Sequence, residues 1–241
     1  MNANNVSAPF GFGDYKLTNG TLFLTANKSG MTIKGPADIG PLSADINWRE
    51  TFDFGATPSV LNLTGQFDSA TLDKFGVSLR QYFGGTIPFT LSASGSGIAF
   101  DTAKISADLS ESEWVIGDIW SKGLGVDGHA DLSISRNSSG QVVVEDFKAI
   151  APGLAISGAL RLDNNMRLLE ASLAQFSVKD LVDARLTVTR ETIDRPIQAT
   201  LSGDYLNLDG FIGPTLLQSG GGAQFPLTLS ANLNSLRLAP D

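Results

Sequence analysis

Apolar and polar residues alternate with period two over long stretches of this chain, and that pattern limits what it can fold into. Leu42, Ala44, Ile46 and Trp48 alternate with Ser43, Asp45 and Asn47. Leu61, Leu63, Gly65 and Phe67 alternate with Asn62, Thr64 and Gln66, and Ile87, Phe89, Leu91 and Ala93 with Pro88, Thr90 and Ser92. Ala130, Leu132 and Ile134 alternate with Asp131 and Ser133, and Phe225, Leu227, Leu229, Ala231 and Leu233 with Pro226, Thr228, Ser230 and Asn232. Successive side chains of a strand point to opposite faces, so each run predicts a strand with one apolar and one wet face. Such strands belong to antiparallel sheet with one solvated side. Thr18-Asn19-Gly20, Lys28-Ser29-Gly30, Asn137-Ser138-Ser139-Gly140 and Asp163-Asn164-Asn165 are turn signals between the runs.

Two segments depart from the pattern. Leu72, Phe75, Leu79 and Tyr82 recur at helical spacing and predict a helix over Thr71–Phe83. Ser69 or Thr71 is the expected cap, and Gly84-Gly85 the expected stop. Leu208–Leu217 is a weaker copy, interrupted by Pro214, and Gly220-Gly221-Gly222 is a flexible point.

The strands repeat. Leu63-Thr64-Gly65 matches Leu201-Ser202-Gly203, and Pro88–Ala93 matches Pro226–Ala231, both at an offset of 138. Between them Leu72-Asp73-Lys74-Phe75 matches Leu208-Asp209-Gly210-Phe211. Upstream, Arg49-Glu50-Thr51-Phe52 matches Arg190-Glu191-Thr192-Ile193, and Gly30–Gly35 matches Gly153–Gly158. The chain therefore reads as one continuous repeat-built segment over 1–241, with repeats near 30–150 and 153–238. Residues 1–14 are expected to be disordered or an added segment. The partial repeat count predicts a piece of a longer array, whose apolar faces are buried on neighbouring repeats.

Composition removes several classes of function. The chain has no cysteine and a single histidine, His129. Thiolate chemistry and multi-histidine metal cages are therefore absent from its repertoire. Net charge is −8, and the 17 basic residues are scattered singly, which excludes a nucleic-acid surface. Docking on anionic lipid headgroups is disfavoured for the same reason. No stretch reaches the length of a transmembrane helix.

Isolated polar constellations have bland alternatives. Asp127, His129 and Asp131 share one face of a strand, but Ala130, Leu132 and Ile134 point the other way, so a solvated face is expected rather than a metal site. Glu111 and Glu113, with Asp118 near, could be paired carboxylates, yet a polar loop is the expected reading. Gly95-Ser96-Gly97 and Gly11-Phe12-Gly13 lack the strand–turn–helix context of a phosphate loop. Trp114 and Trp120 flank an acidic stretch and are read as edge packing, with an interfacial anchor as the alternative.

Gly153–Gly158, Leu173-Ala174-Gln175-Phe176, Ala184–Arg190, and Leu201-Ser202-Gly203 with Leu208-Asp209 carry a family resemblance. So do Ala107-Asp108-Leu109-Ser110 and Trp120-Ser121-Lys122-Gly123. Together they resemble the AsmA-like superfamily, in particular the large YhdP-type proteins of Gram-negative bacteria. The resemblance implies an inner-membrane-anchored periplasmic protein that moves phospholipid toward the outer membrane along an open groove, without catalysis or cofactor. Its implied partners are phospholipid acyl chains and neighbouring repeats, with membrane contact made by other parts of the protein.

The expected fold is therefore all-β, with one or two short helices: an elongated, curled antiparallel sheet forming an open hydrophobic groove. The candidate lining is Ile46, Trp48, Leu61, Leu63, Phe89, Leu91, Leu132, Ile134, Ile156, Leu186, Val188, Leu201, Leu227 and Leu229. Ordinary core packing is the alternative for each. A structural or adhesive β-repeat stalk with a closed core is the second functional reading, and a glycan-handling β-protein the third.

Overall fold

A computed structural model describes residues 2–9, 15–52, 59–76, 78–117, 119–137, 141–163, 167–190, 195–207 and 227–237. The described residues are nearly all β-strand, with one short helix among them. It divides into two compact units, Met1–Ser112 and Glu113–Asp241.

Unit 1 is a curled, unclosed antiparallel sheet whose strands follow chain order. They are β1 (Asn2–Pro9), β2 (Lys16–Asn27), β3 (Gly30–Ile39), β4 (Leu42–Thr51), β5 (Ser59–Asp68), β6 (Phe83–Ser96) and β7 (Ala99–Asp108). Helix α1 (Ser69–Lys74) lies between β5 and β6. In unit 2 the strands β8 (Ser112–Ile116) and β9 (Trp120–Lys122) form a hairpin, with Ser112 itself at the end of unit 1. The sheet of unit 2 comprises β10 (His129–Arg136), β11 (Val142–Ala151), β12 (Leu154–Leu162), β13 (Leu168–Val178), β14 (Val182–Thr189), β15 (Ile197–Asn207) and β16 (Leu227–Arg237). These seven also run in chain order, and β10 does not pair with β16.

The turn chemistry is local. Asn27 closes the β2–β3 turn: its Oδ1 accepts from the backbone N–H of Ser29 at 2.8 Å and of Gly30 at 3.2 Å. The β6–β7 turn is made by Ser96-Gly97-Ile98, with Gly97 at φ 58°. Thr18-Asn19-Gly20 is not a turn but lies inside β2, where Asn19 adopts φ 53° and the register against β3 shifts between Thr18 and Phe23. A bulge and a turn use the same residue chemistry, so sequence alone conflated them. Residues 2–9, expected outside the repeat, form β1 and pair with β2.

The helix is shorter than its periodicity predicted. Its cap is Asp68, one residue before Ser69 and three before Thr71, with Asp68 Oδ1 accepting from Thr71 N and Thr71 Oγ1, both at 2.7 Å. It ends where Phe75 N and Gly76 N turn back on Leu72 O and Asp73 O, and Gly76 takes φ 84°. Leu79 starts a separate turn, its carbonyl accepting from Tyr82 N and Phe83 N. Gly84-Gly85, the expected stop, sits in β6. The second predicted helix, Leu208–Leu217, and Gly220–Gly222 lie outside the described residues.

Two further features were not expected. First, β16 runs parallel to β15, so the sheet of unit 2 is mixed. Parallel neighbours need a connection of about a dozen residues or more, which 208–226 is long enough to supply. In unit 1 the sequence-equivalent pair β5–β6 is antiparallel. Second, the register of unit 2 shifts in every successive antiparallel pair, at positions that step diagonally across the sheet: Asp131/Ile134, Val144/Phe147, Ser157/Gly158, Leu173/Phe176 and Asp183/Ala184. Bulges bend a strand and raise its twist, so a line of them folds the sheet across its strands.

Gly158 marks that line: a Cβ there would lie 2.1 Å from the Ser172 carbonyl oxygen and 2.7 Å from Leu173 Cα. Gly158→Val is expected to destabilise the protein by about 2 kcal/mol or more, read as a lowered urea midpoint by circular dichroism. A second expectation concerns the cap. The hydrogen bonds from the Thr71 hydroxyl and N–H hold the Asp68 carboxyl below its ordinary 3.8. Its stabilisation is therefore present above pH ~4 and lost as pH falls through the lowered value. Asp68→Ala is expected to cost about 1 kcal/mol at pH 7, and the gap to the native protein should close in melts taken below the ordinary carboxylate range.

Candidate functional site

Residues paired across neighbouring strands share a face, so the register converts the alternation into continuous rows. In unit 1 one row runs Ile33–Trp48–Leu61–Ala93–Ala103. The next runs Gly35–Ile46–Leu63–Leu91–Ile105, and a third Ala37–Ala44–Gly65–Phe89–Ala107. All six candidate lining residues of this unit stand in these rows. Ile46, Leu61, Leu63 and Phe89 are buried, while Trp48 and Leu91 are half-buried. Leu61 is 0 % exposed in a unit whose described residues form one sheet and one short helix. A flat layer would leave it wet. Its burial reports a sheet curled until the side chains of its apolar face lean over one another.

The face of unit 1 changes character at one end. Ser59, directly opposite Glu50, is fully buried. Its hydroxyl donates to the Glu50 carboxylate and stands 2.9 Å from the Gly97 carbonyl. Two strand positions away, Trp48 Nε1 is enclosed and has no hydrogen-bond partner among the described residues.

Four rows cross unit 2. Ile134–Val144–Leu160–Ala171–Val188–Ala199–Leu229 is the first, and Phe147–Gly158–Leu173–Leu186–Leu201–Ala231 the second. Ala130–Ala149–Ile156–Phe176–Ala184–Gly203–Leu233 is the third, and Ala151–Leu154–Val178–Val182–Leu206–Leu236 the fourth. Ile134, Ile156, Leu186 and Val188 are half-buried there and Leu201 is buried, while Leu132 is half-buried two residues before Ile134. Leu227 pairs in register with Ile197. Leu229 is 55 % exposed because β16 is an edge strand with no neighbour on its far side among the described residues.

Sequence reasoning missed Val144, Leu160, Phe176 and Leu206 in these rows. Val144 sits in a run of three valines, where alternation cannot say which side is apolar. For the others the bulges break the strict period of two.

The opposite face is polar. Arg161 pairs with Glu170 at 2.7 Å, and Asn234 Nδ2 donates to Asp204 Oδ1 at 2.7 Å. Asp38 accepts from the Ser43 hydroxyl at 2.5 Å and Asn19 Nδ2 at 2.7 Å, which holds its carboxyl below the ordinary value. Shallow recesses open around Asp38, Asp45 and Gln66 in unit 1, and around Asp183, Arg185 and Asp204 in unit 2. His129 is exposed beside exposed Asp127, and its backbone pairs with Ile150 while Ala130 takes the apolar side. No group of three ligating side chains that could hold a metal is found among the described residues. Glu111 and Glu113 are exposed. Gly95 and Gly97 belong to the β6–β7 hairpin, and Gly11–Gly13 lie outside the described residues. Trp120 is buried and Trp114 half-buried, both in the apolar cluster of unit 2. No helix among the described residues is long and apolar enough to cross a membrane.

No family model, curated protein or solved structure matches the chain.

The absence of native cysteine makes the facing directly testable. Thr64→Cys, on the exposed face, is expected to react with a maleimide at least about ten times faster than Leu63→Cys, whose position is 4 % exposed. Mass spectrometry of timed samples measures both rates, and equal rates would overturn the assignment.

Proposed function

We propose that this chain is a non-catalytic, lipid-binding segment that carries phospholipid acyl chains along the apolar face of its curled sheets. The observation that carries the proposal is the continuity of the rows. Each unit has an unclosed sheet whose apolar side carries Ile, Leu, Val, Phe, Trp, Ala and Gly in cross-strand rows that continue from strand to strand past the register shifts. The seven strands of the unit 2 sheet, about 4.8 Å apart, make the two rows that cross all of them roughly 29 Å long. That exceeds the depth of one leaflet, about half of the ~30 Å hydrocarbon core. An acyl chain laid along a row gains about 0.8 kcal/mol for each CH₂ it buries. The gain is nearly the same at each step along the row, so a chain held there can slide.

The likeness to AsmA-like, YhdP-type proteins supports the same reading and would place the segment in the periplasm, between inner and outer membranes. Neighbouring repeats would extend the rows, and other parts of the full protein would make the membrane contacts.

A second reading has an observation of its own. Leu61, Leu63 and Ile46 are at most 4 % exposed, as they would be in a β-repeat stalk with a closed core and no ligand.

Native mass spectrometry with lipid extraction separates the two. Protein purified from bacterial cells, or incubated with phospholipid vesicles, is expected to carry phospholipid. Leu91→Asp puts a carboxylate in the middle of a row and is expected to reduce the bound lipid at least about tenfold while the sheet spectrum is kept, because a charge facing hydrocarbon is strongly disfavoured. A lipid-free mass for the native protein in both preparations would favour the stalk.

A further inference from the structure

A single charged side chain interrupts the apolar face of unit 1. Beside the Trp48 row a fourth row runs Met31–Glu50–Ser59–Gly95–Phe100, and every member of it is buried or half-buried. Across the residues of these four rows Glu50 alone carries a charge. A carboxylate turned toward hydrocarbon is costly unless a cation or several hydrogen-bond donors hold it.

The protein supplies no cation there. All 17 Lys and Arg residues of the chain lie among the described residues. The ion pairs found among these join Arg80 to Asp73, Arg161 to Glu170 and Arg167 to Asp163, and none reaches Glu50. Arg49, next to it in sequence, stands on the opposite face, between Thr32 and Val60. Protons are also short. The buried Ser59 hydroxyl donates to the Glu50 carboxylate and stands 2.9 Å from the Gly97 carbonyl, so one proton is shared between two acceptors.

We infer that Glu50 is a headgroup site, which holds the primary ammonium of phosphatidylethanolamine while the acyl chains lie on the rows beside it. The inference deepens the lipid-carrying role proposed above and rests on it. Charge complementarity carries it. A primary ammonium brings a positive charge and three N–H donors to a carboxylate that lacks a cation and has one shared hydroxyl proton. Trp48 lies two residues away on the same side of β4 and adds an indole ring, the aromatic group that attracts cations most strongly.

The tails need only the neighbouring rows, through Trp48–Leu61–Ala93 and Ile46–Leu63–Leu91. Phosphatidylglycerol offers those rows the same hydrocarbon, but its headgroup has a net negative charge and no cation. Glu50 repels it, and the net charge of −8 acts in the same direction. The rows therefore bind phospholipid without distinction, and Glu50 selects by headgroup.

Vesicles of equal phosphatidylethanolamine and phosphatidylglycerol test this, with each lipid class bound to the protein counted by native mass spectrometry and folding checked by circular dichroism. The native protein is expected to hold the first over the second by at least about threefold. Glu50→Gln keeps the size of the side chain and an acceptor for Ser59, and is expected to hold both lipids equally at an unchanged total. Met31→Lys, directly opposite Glu50, puts an ammonium of the protein's own beside the carboxylate and is expected to remove the preference as well. If one variant does not fold, the other decides. Equal binding by the native protein would overturn the headgroup site and leave the lipid-carrying role standing, as would an undiminished preference in either folded variant. No bound lipid in any of these proteins would overturn both.

Discussion

A sheet that is apolar on one side, with no second sheet packed on it among the described residues, depends on its own curvature to shield that side, and much of this structure follows from that constraint. The backbone ladder supplies the layer, because every interior strand satisfies its N–H and C=O groups on both neighbours. It does nothing for the side chains. Leu61, Leu63 and Ile46 reach near-complete burial through their own row neighbours and the curl of the sheet that carries them. At about 25 cal/mol per Å² of apolar surface removed from water, this self-covering is the main favourable term for each unit. It also leaves residues such as Leu91, Ile134 and Val188 half-covered, since a curl covers its floor better than its rims.

The two units reach curvature by different routes. Unit 1 keeps an unbroken register across β3, β4, β5 and β6. Across those four strands the bending is the ordinary twist of paired strands, while the shifts of unit 1 lie in β1–β2, β2–β3 and β6–β7. Unit 2 carries register shifts that step diagonally through β10 to β14, and Gly158 lies on that line because the strand beside it approaches too closely for any side chain. The residues that repeat between the units, such as Leu63-Thr64-Gly65 and Leu201-Ser202-Gly203, occupy matching strands. The bend does not repeat with them.

This difference explains how much of the fold was legible in sequence. The all-β class and the faces of β4, β5 and β6 follow from strict alternation, and the rows of unit 1 then follow from pairing consecutive strands. The turns at Lys28-Ser29-Gly30 and Ser96-Gly97-Ile98 announce themselves through residues that tolerate positive φ. The bulge at Asn19 uses the same residues and was indistinguishable from a turn. The helix was over-extended because Leu72, Phe75, Leu79 and Tyr82 keep helical spacing through two separate turns broken at Gly76. The direction of β16 depends on the path of 208–226 and leaves no trace in the alternation of Leu227, Leu229 and Ala231. The hairpin at Ser112–Lys122 was hidden for another reason: its apolar side packs on the face of a sheet formed by strands that follow it in sequence, so no local pattern shows the contact.

Side-chain volume on the apolar face bears on what that face is for. In unit 1 the third row is Ala37, Ala44, Gly65 and Ala107 with a single large residue, Phe89, and small residues recur at Ala93 and Ala103. In unit 2, Ala130, Ala149, Ala184 and Gly203 share a row, and Ala171 and Ala199 stand in another. Alanine and glycine contribute little burial energy, and a closed core gains most from branched and aromatic side chains that fill it. Small residues interspersed with Ile, Leu and Phe along the same rows would, on the proposed reading, lower the floor into a trough. A trough of constant chemistry has no single site of strong attraction. On the lipid-carrying reading proposed above, it would hold hydrocarbon by length of contact, which transport along a surface requires and a stalk does not.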